Sequence, residues 1–381
     1  MIAARPLRTG LLILQPTPFC NIDCRYCYLP DRHRTDRMPM EVVSATMANL
    51  SESGLLSDNM TAVWHAGEPL VLPADYFAEA FELVSKYSSD DLTIDLAVQS
   101  NLTLLNAAHC EVFKEFDVSV GVSIDGPRAL HDSNRVTRGG TGTFDAVMEG
   151  VELLRSRGLD FNVICVLTAA SLEHPVSMYR FFRDLGARDV GFNIEELEGV
   201  NTDTSIDSDT IERRFGVFMR RFFEMLVRDD HLMNVREFRH FHELLRSGRP
   251  VRLNNQADPF AIVSVAVDGS FSTFSPELLG QTAQEFDGFT LGNVLEGSVL
   301  DVMSSTRYQN IAGQIAAGVD ACASTCGYFR FCGGGAPSNK YFENGQLSST
   351  ETTFCRLTRK VLADAFIETL ESCGPRAARR G

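Results

Sequence analysis

The chain has 381 residues, 44% of them hydrophobic and 22% charged, which suits an ordinary globular protein with one large α/β domain and a smaller one. A formal charge of −15 argues against general nucleic-acid binding, because phosphate backbones recruit basic surfaces. No apolar run approaches the length of a membrane span, so neither nucleic acid nor membrane is an expected partner.

Arg5 and Arg8 precede a short apolar stretch, but Pro16 and Pro18 end it and no cleavage-site pattern follows. Ten cysteines in a chain read as lacking an export signal fit metal ligation better than disulfides, and the expected compartment is the reducing cytoplasm.

Strand and helix signals alternate along the first half. Residues 11–15 read as a strand, 39–53 as a helix with Pro39 in its first turn, 61–65 as a strand, 74–86 as a helix and 92–99 as a strand. Residues 106–115 are helical, 118–124 extended, 144–157 helical with Gly158 as the C-cap, 161–167 extended, 175–185 helical and 190–194 extended. Six strands separated by helices imply a parallel sheet with right-handed crossovers, whose chemistry gathers at the carboxyl ends of the strands. A polar, turn-rich stretch over 201–209 reads as a linker. Residues 211–226 carry a helical stripe of Phe215, Phe218, Phe222 and Leu226, read as core packing, and 236–246 form another helix stopped by Gly248 and Pro250. Residues 262–267 and 270–274 form a hairpin on Asp268-Gly269. The chain is thereby divided into 1–200, a helical region 201–260, and 261–381 ending in a helix, with the Arg-rich tail 375–381 expected to be disordered.

Between the first strand and first helix lies Cys20-Asn21-Ile22-Asp23-Cys24-Arg25-Tyr26-Cys27-Tyr28. Three thiolates this close can hold one face of a four-iron, four-sulfide core and leave one iron without a protein ligand. A zinc site, with His33 as the only local fourth ligand, and buried structural thiols are the simpler readings. A second group follows in Cys322-xxx-Cys326-xxxxx-Cys332, with Cys355 further on. Four thiolates with no histidine between them suit either closed zinc or a four-iron cluster. Cys110, Cys165 and Cys373 fall outside both groups and are read as buried thiols.

The CxxxCxxC spacing with Tyr26 before its last cysteine resembles the signature of the radical S-adenosylmethionine (SAM) enzymes. The resemblance implies an open (β/α)6 TIM-like partial barrel, a SAM-binding [4Fe-4S] cluster on Cys20, Cys24 and Cys27, and SAM chelating the open iron. An electron donor such as flavodoxin or ferredoxin is implied with it. In that family a Gly-Gly-Glu segment follows the second strand; here it is Ala66-Gly67-Glu68, with Glu68 and the backbone of Ala66 and Gly67 assigned to the SAM ammonium. Gln99-Ser100-Asn101 resembles the segment lining the cofactor pocket, and Ser123 and Asp125 follow the fourth strand. Arg135 is assigned to the SAM carboxylate, onto which a guanidinium forks well, and Leu167 with its neighbours to the adenine. A turn at Asp125-Gly126-Pro127 and a solvated charge at Arg135 are the simpler readings of each alone. Their recurrence at successive strand ends makes the set.

Behind such a barrel, the hairpin and late cysteines resemble the SPASM extension of peptide-modifying enzymes. The full extension holds two auxiliary clusters. The hairpin exit reads Ser272-Thr273-Phe274-Ser275-Pro276, and Ala336 stands where the family places a cysteine, so the inner cluster is expected to be absent. Cys322, Cys326, Cys332 and Cys355 match the outer one, which implies one auxiliary [4Fe-4S] cluster used for electron transfer. Thr273-Phe274-Ser275-Pro276-Glu277-Leu278-Leu279-Gly280, Cys332-Gly333-Gly334-Gly335-Ala336-Pro337, Phe342-Glu343-Asn344-Gly345 and Thr350-Glu351-Thr352 resemble the cyclophane-forming maturases of ribosomally made (RiPP) precursor peptides. Those enzymes join an aromatic ring carbon to the β-carbon of a residue two positions on. Glu195, Glu196 and Glu277 are the candidate bases, with acidic loop residues in an acidic protein as the alternative for the first two. No winged peptide-recognition domain fits before residue 11 or after 355, so the leader is expected to use the barrel and extension surface or a separate protein. The alternative function is another radical SAM modification: a thioether, an epimerisation, or sulfatase-type formylglycine formation. The last is disfavoured because two auxiliary clusters are expected there.

Overall fold

The structure, a computed structural model, describes residues 6–207, 209–230, 232–248, 251 and 254–373. Pro250, the Cys373 side chain and the 375–381 tail lie outside the described residues.

Strands β1 (Thr9–Leu14), β2 (Leu56–Trp64), β3 (Thr93–Ser100), β4 (Ser119–Ser123), β5 (Phe161–Leu167) and β6 (Asp189–Ile194) lie side by side in sequence order, every pair parallel. Helices Met40–Glu52, Ala74–Ser85, Ala107–Glu115, Phe144–Ser156 and Pro175–Leu185 make the crossovers. Local chemistry sets their ends: the Asn106 side chain accepts from His109 N at 3.1 Å, and Gly186 closes the last of them at φ 66°. Strand alternation sorts the two faces of the sheet. On β5, Phe161, Val163, Cys165 and Leu167 are buried against helices, while Asn162, Ile164 and Val166 face the other way.

Four further strands extend this sheet to ten. The two-residue strand β7 (Asn234–Val235), which the sequence pattern does not reveal, continues the parallel set beyond β6. On the other side β8 (Ile262–Val265) runs parallel to β1, with Leu11 opposite Ile262 and Leu14 opposite Val265. It turns back through Gly269, at φ 86°, into β9 (Ser270–Thr273), which pairs with β10 (Gly292–Asn293). The outermost strands do not meet, so this is an open α/β sheet, the partial barrel expected from the sequence.

Phe215, Phe218, Phe222 and Leu226 on helix Ile211–Arg228 are fully buried. Phe222 lies 5.1 Å from Phe192 of β6, and Phe223 stacks at 4.8 Å on Phe366 of helix Leu362–Cys373. This core ties the C-terminal helix to the barrel. Helix Thr306–Thr325 is the largest element that the sequence pattern left unassigned. Ser305 caps it by accepting from Tyr308 N at 3.1 Å, and Tyr308, Ile311, Ile315, Gly318 and Cys322 form its buried face. Among the described residues no helix is long and apolar enough to cross a membrane.

Candidate active site

Strand β1 delivers the chain into the first cysteine loop, and backbone contacts pin that loop at the carboxyl edge of the sheet. Cys20 N donates to Arg32 O at 3.1 Å, Asp23 N to Val136 O at 2.7 Å and Arg25 N to Asn134 O at 3.0 Å. Arg138 donates from Nη2 to Cys20 O at 2.8 Å. Glu68 N donates to Phe19 O at 2.7 Å, which locks the Ala66-Gly67-Glu68 turn against the loop. Only glycine fits at 67: an added Cβ would lie 2.4 Å from Thr17 O and 2.6 Å from Phe19 O.

The nine described cysteines are all free thiols. Among the described residues no group of three or more His, Cys, Asp or Glu converges as a lone metal ion requires. A four-iron cube spaces its ligand sulfurs more widely than one ion does. Burial pushes the thiols of Cys20 and Cys24 up to about 12 and about 11, so bare thiolates there are costly without a cationic partner. Two donors reach the sulfurs: Asn101 Nδ2 lies 3.9 Å from Cys20 Sγ, and Arg135 Nη1 lies 3.8 Å from Cys24 Sγ. This donor set fits a SAM-binding cluster.

A cavity of about 220 Å³ opens beside the loop. It is lined by Cys20, Cys24, Cys27, Tyr26, Tyr28, Ala66, Gly67, Glu68, Gln99, Ser100, Asn101, Ser123, Arg135, Ile164 and Val166, and also by Glu195, Glu196, Glu198 and Glu277. Two residues expected there do not line it. Leu167 is fully buried on the helix side of β5, and the two-residue period gives the cavity Val166 and Ile164 instead. Asp125 stands behind the wall, paired with Arg135.

Two polar clusters leave defined vacant directions toward the cavity. Glu68 Oε1 accepts from Ser100 Oγ at 2.6 Å and Leu70 N at 2.9 Å, and Oε2 accepts from Asn101 N at 2.8 Å. A carboxylate has about four acceptor positions, so about one remains for a ligand ammonium. Arg135 donates from Nε and Nη2 to Asp125 at 3.0 and 3.2 Å, and Asp125 also accepts from Val166 N at 3.0 Å and from the Tyr26 hydroxyl. The guanidinium fork is thus spent on Asp125, and only the outward edges of Nη1 and Nη2 face a ligand.

The carboxylates divide into one tied and three grouped. Glu195 accepts from Ser205 N at 2.9 Å and from the Ser205 hydroxyl, which makes it a loop tie. Burial pushes the Glu196 carboxyl up to about 8; a hydrogen bond from Asn339 opposes the rise, and the charges of Glu277 and Glu343 add to it. Burial also raises Glu198 and Glu277, and the Ser338 side chain bonds both. Glu277 Oε2 is buried without a hydrogen-bond partner among the described residues. Burial of this kind keeps a carboxyl protonated to higher pH than an exposed one. Glu198, Tyr28, Ser338 and Asn339 were not singled out from the sequence; the Glu196-x-Glu198 alternation was the available signal.

The later cysteines also gather. Cys322 lies in the last turn of helix Thr306–Thr325, Cys326 at its C-cap, and Cys332 ends helix Phe329–Cys332. Gly334 N donates to Cys332 Sγ and Thr352 N to Cys355 Sγ, each at 3.4 Å. Gly333, Gly334 and Gly335 all have positive φ, a path only a glycine run follows without strain. Ala336 is buried and lines a second cavity, of about 440 Å³, with Cys332, Arg236, Glu237 and Arg359.

The fold and this thiol-rimmed cavity define a class, and sequence comparison agrees. Residues 14–182 match the radical SAM superfamily, and the chain is an enzyme with the radical SAM fold. That match implies a [4Fe-4S] cluster and SAM. Uncharacterized protein sll1766 of Synechocystis sp. is 40% identical over 367 residues, 95% of this chain and 92% of that protein. The serine-type anaerobic sulfatase-maturating enzyme of Bacteroides thetaiotaomicron is 27% identical over 345 residues, 84% of this chain and 81% of that enzyme. Native anSMEcpe with bound AdoMet and Cp18Cys peptide shares the fold, with TM-score 0.73 and 21% identity over 96% of this chain and 97% of that one. Streptococcus suis SuiB bound to precursor peptide SuiA does so with TM-score 0.63 and 14% identity, over 91% and 76%.

Proposed function

We propose that this enzyme crosslinks a ribosomally made precursor peptide, joining an aromatic ring carbon to the Cβ of a nearby residue to form a cyclophane. Cys20, Cys24 and Cys27 would hold the SAM-binding cluster; SAM would be oriented by the vacant edges of Glu68 and Arg135 and by Gln99, Ser100, Asn101 and Ser123. When bound, the cluster and SAM supply a primary carbon radical able to take hydrogen from an unactivated carbon. Cys322, Cys326, Cys332 and Cys355 would hold one auxiliary four-iron cluster, a one-electron acceptor. A flavodoxin or ferredoxin is the class of donor that would reduce the enzyme.

The observation that carries this reading is that Glu196, Glu198 and Glu277 line the same cavity as the cysteine loop. Closing a ring onto an arene requires an acceptor for the displaced aryl proton, and Glu196, whose carboxyl is pushed up to about 8 by burial, is such an acceptor in its ionised form. Glu196 is held for this by Asn339, and Glu198 and Glu277 by Ser338. Tyr28 and the apolar side chains Ile164 and Val166 line the same cavity and would keep water from the reacting carbon. A peptide partner is supported by the peptide-bound structures that share this fold.

Formylglycine formation is the second reading, favoured by the name of the Bacteroides relative. Both reactions start at a Cβ–H. The anaerobically reconstituted enzyme should be given a precursor carrying ring-deuterated aromatic residues. Cyclophane formation releases one ring deuterium and leaves a product inert to hydrazide. A product that keeps all ring deuterium and captures hydrazide is an aldehyde, and the crosslinking reading fails.

A further inference from the structure

Helix Pro337–Asn344 buries four consecutive residues in its first turn, Pro337, Ser338, Asn339 and Lys340. Ser338 and Asn339 serve the carboxylates, as described above. Lys340 turns the other way. Its ammonium lies within electrostatic reach of the thiols of Cys322, Cys332 and Cys355. The lysine is only 2% exposed, and among the described residues no acidic side chain is among the charges that act most strongly on it. The pocket is shaped for it. A Cβ added at Gly318 would lie 2.9 Å from Lys340 Nζ, and one added at Gly335 would stand in ordinary contact with Lys340 Cε, at 3.7 Å. A buried lysine without a carboxylate is unfavourable unless another anion is present.

We propose that Lys340 is the built-in counter-charge of the four-cysteine site and raises the reduction potential of the cluster it holds. The proposal rests on the auxiliary-cluster reading above. Reducing a four-iron, four-thiolate unit by one electron adds one negative charge beside the ammonium. The cation therefore favours the reduced form, as do hydrogen bonds to cluster sulfurs. The adjoining residues Ser338 and Asn339 hold the proton-accepting group, so one helical turn would set both the proton and the electron acceptor.

The test is an EPR-monitored redox titration of the reconstituted holoenzyme, following the iron-sulfur signal that does not respond to added SAM. Lys340→Met and Lys340→Gln should each shift the reduced-to-oxidised ratio at least tenfold toward oxidised at fixed applied potential, about 59 mV for one electron. Lys340→Arg should stay close to wild type. If the neutral variants hold only about four irons while Lys340→Arg keeps about eight, the charge is required for assembly and the proposal stands. Unchanged potentials in Met and Gln variants with full iron overturn it, as does loss of iron in the Arg variant too. A wild-type enzyme with only about four irons and no SAM-insensitive signal overturns the auxiliary cluster itself.

Discussion

At the scale of single residues, Glu196 gives the site a pH signature. Its carboxyl titrates at about 8 in the folded enzyme against an ordinary 4.5. Between these values the folded chain keeps a proton that the unfolded chain has lost. The stability tied to this group is therefore complete below about 4.5 and falls as pH rises toward about 8. Glu196→Gln removes the titration, so its denaturation midpoint should vary less than that of wild type between about pH 5 and 8. Parallel curves would show that Glu196 ionises normally. The acidic residues themselves were legible in the sequence, but their division of labour was not. Glu195 is taken by Ser205, while Glu196 meets Asn339, a partner 143 positions away. Leu167 fails for a related reason: the strand was legible, but its register decides that Val166 faces the cavity.

Elements were more legible than side-chain roles. Strand β5 and helix Pro175–Leu185 have the limits their patterns indicate, because period-two and period-3.6 burial are strong over such lengths. Strand β7 is two residues long and offers no period to detect. Helix Thr306–Thr325 mixes small and polar residues on a weakly apolar face, so its period is faint. The turn after β2 carries a testable anomaly. Ala66 sits at φ 76°, a conformation costing a non-glycine residue about 1–2 kcal/mol. Glycine there loses more entropy on folding, by about 0.5–1 kcal/mol, and the remainder predicts that Ala66→Gly stabilises the protein by about 0.5–1 kcal/mol. Urea denaturation measures this. A destabilised variant would mean that the buried alanine methyl, 3% exposed, outweighs the backbone strain.

Over the whole molecule, one sheet joins the two cysteine groups. β8 pairs with β1 across roughly 250 residues of sequence, and β1 runs directly into the first cysteine loop. Local patterns identify such a strand but not its neighbour, so the hairpin could be read as starting a separate region while its fastening to the barrel stayed hidden. The C-terminal helix is anchored likewise, by Phe366 against Phe223. The first cavity is lined both by the thiols of the first cysteine loop and by the carboxyls of Glu196, Glu198 and Glu277. The account stands on the claim that this cavity takes a hydrogen atom from a peptide Cβ. The direct measurement gives the reduced enzyme SAM and a precursor peptide deuterated at Cβ, then weighs the 5′-deoxyadenosine formed. One deuterium carried into the 5′-deoxyadenosine is the predicted result; turnover that modifies the peptide while leaving 5′-deoxyadenosine unlabelled would contradict it.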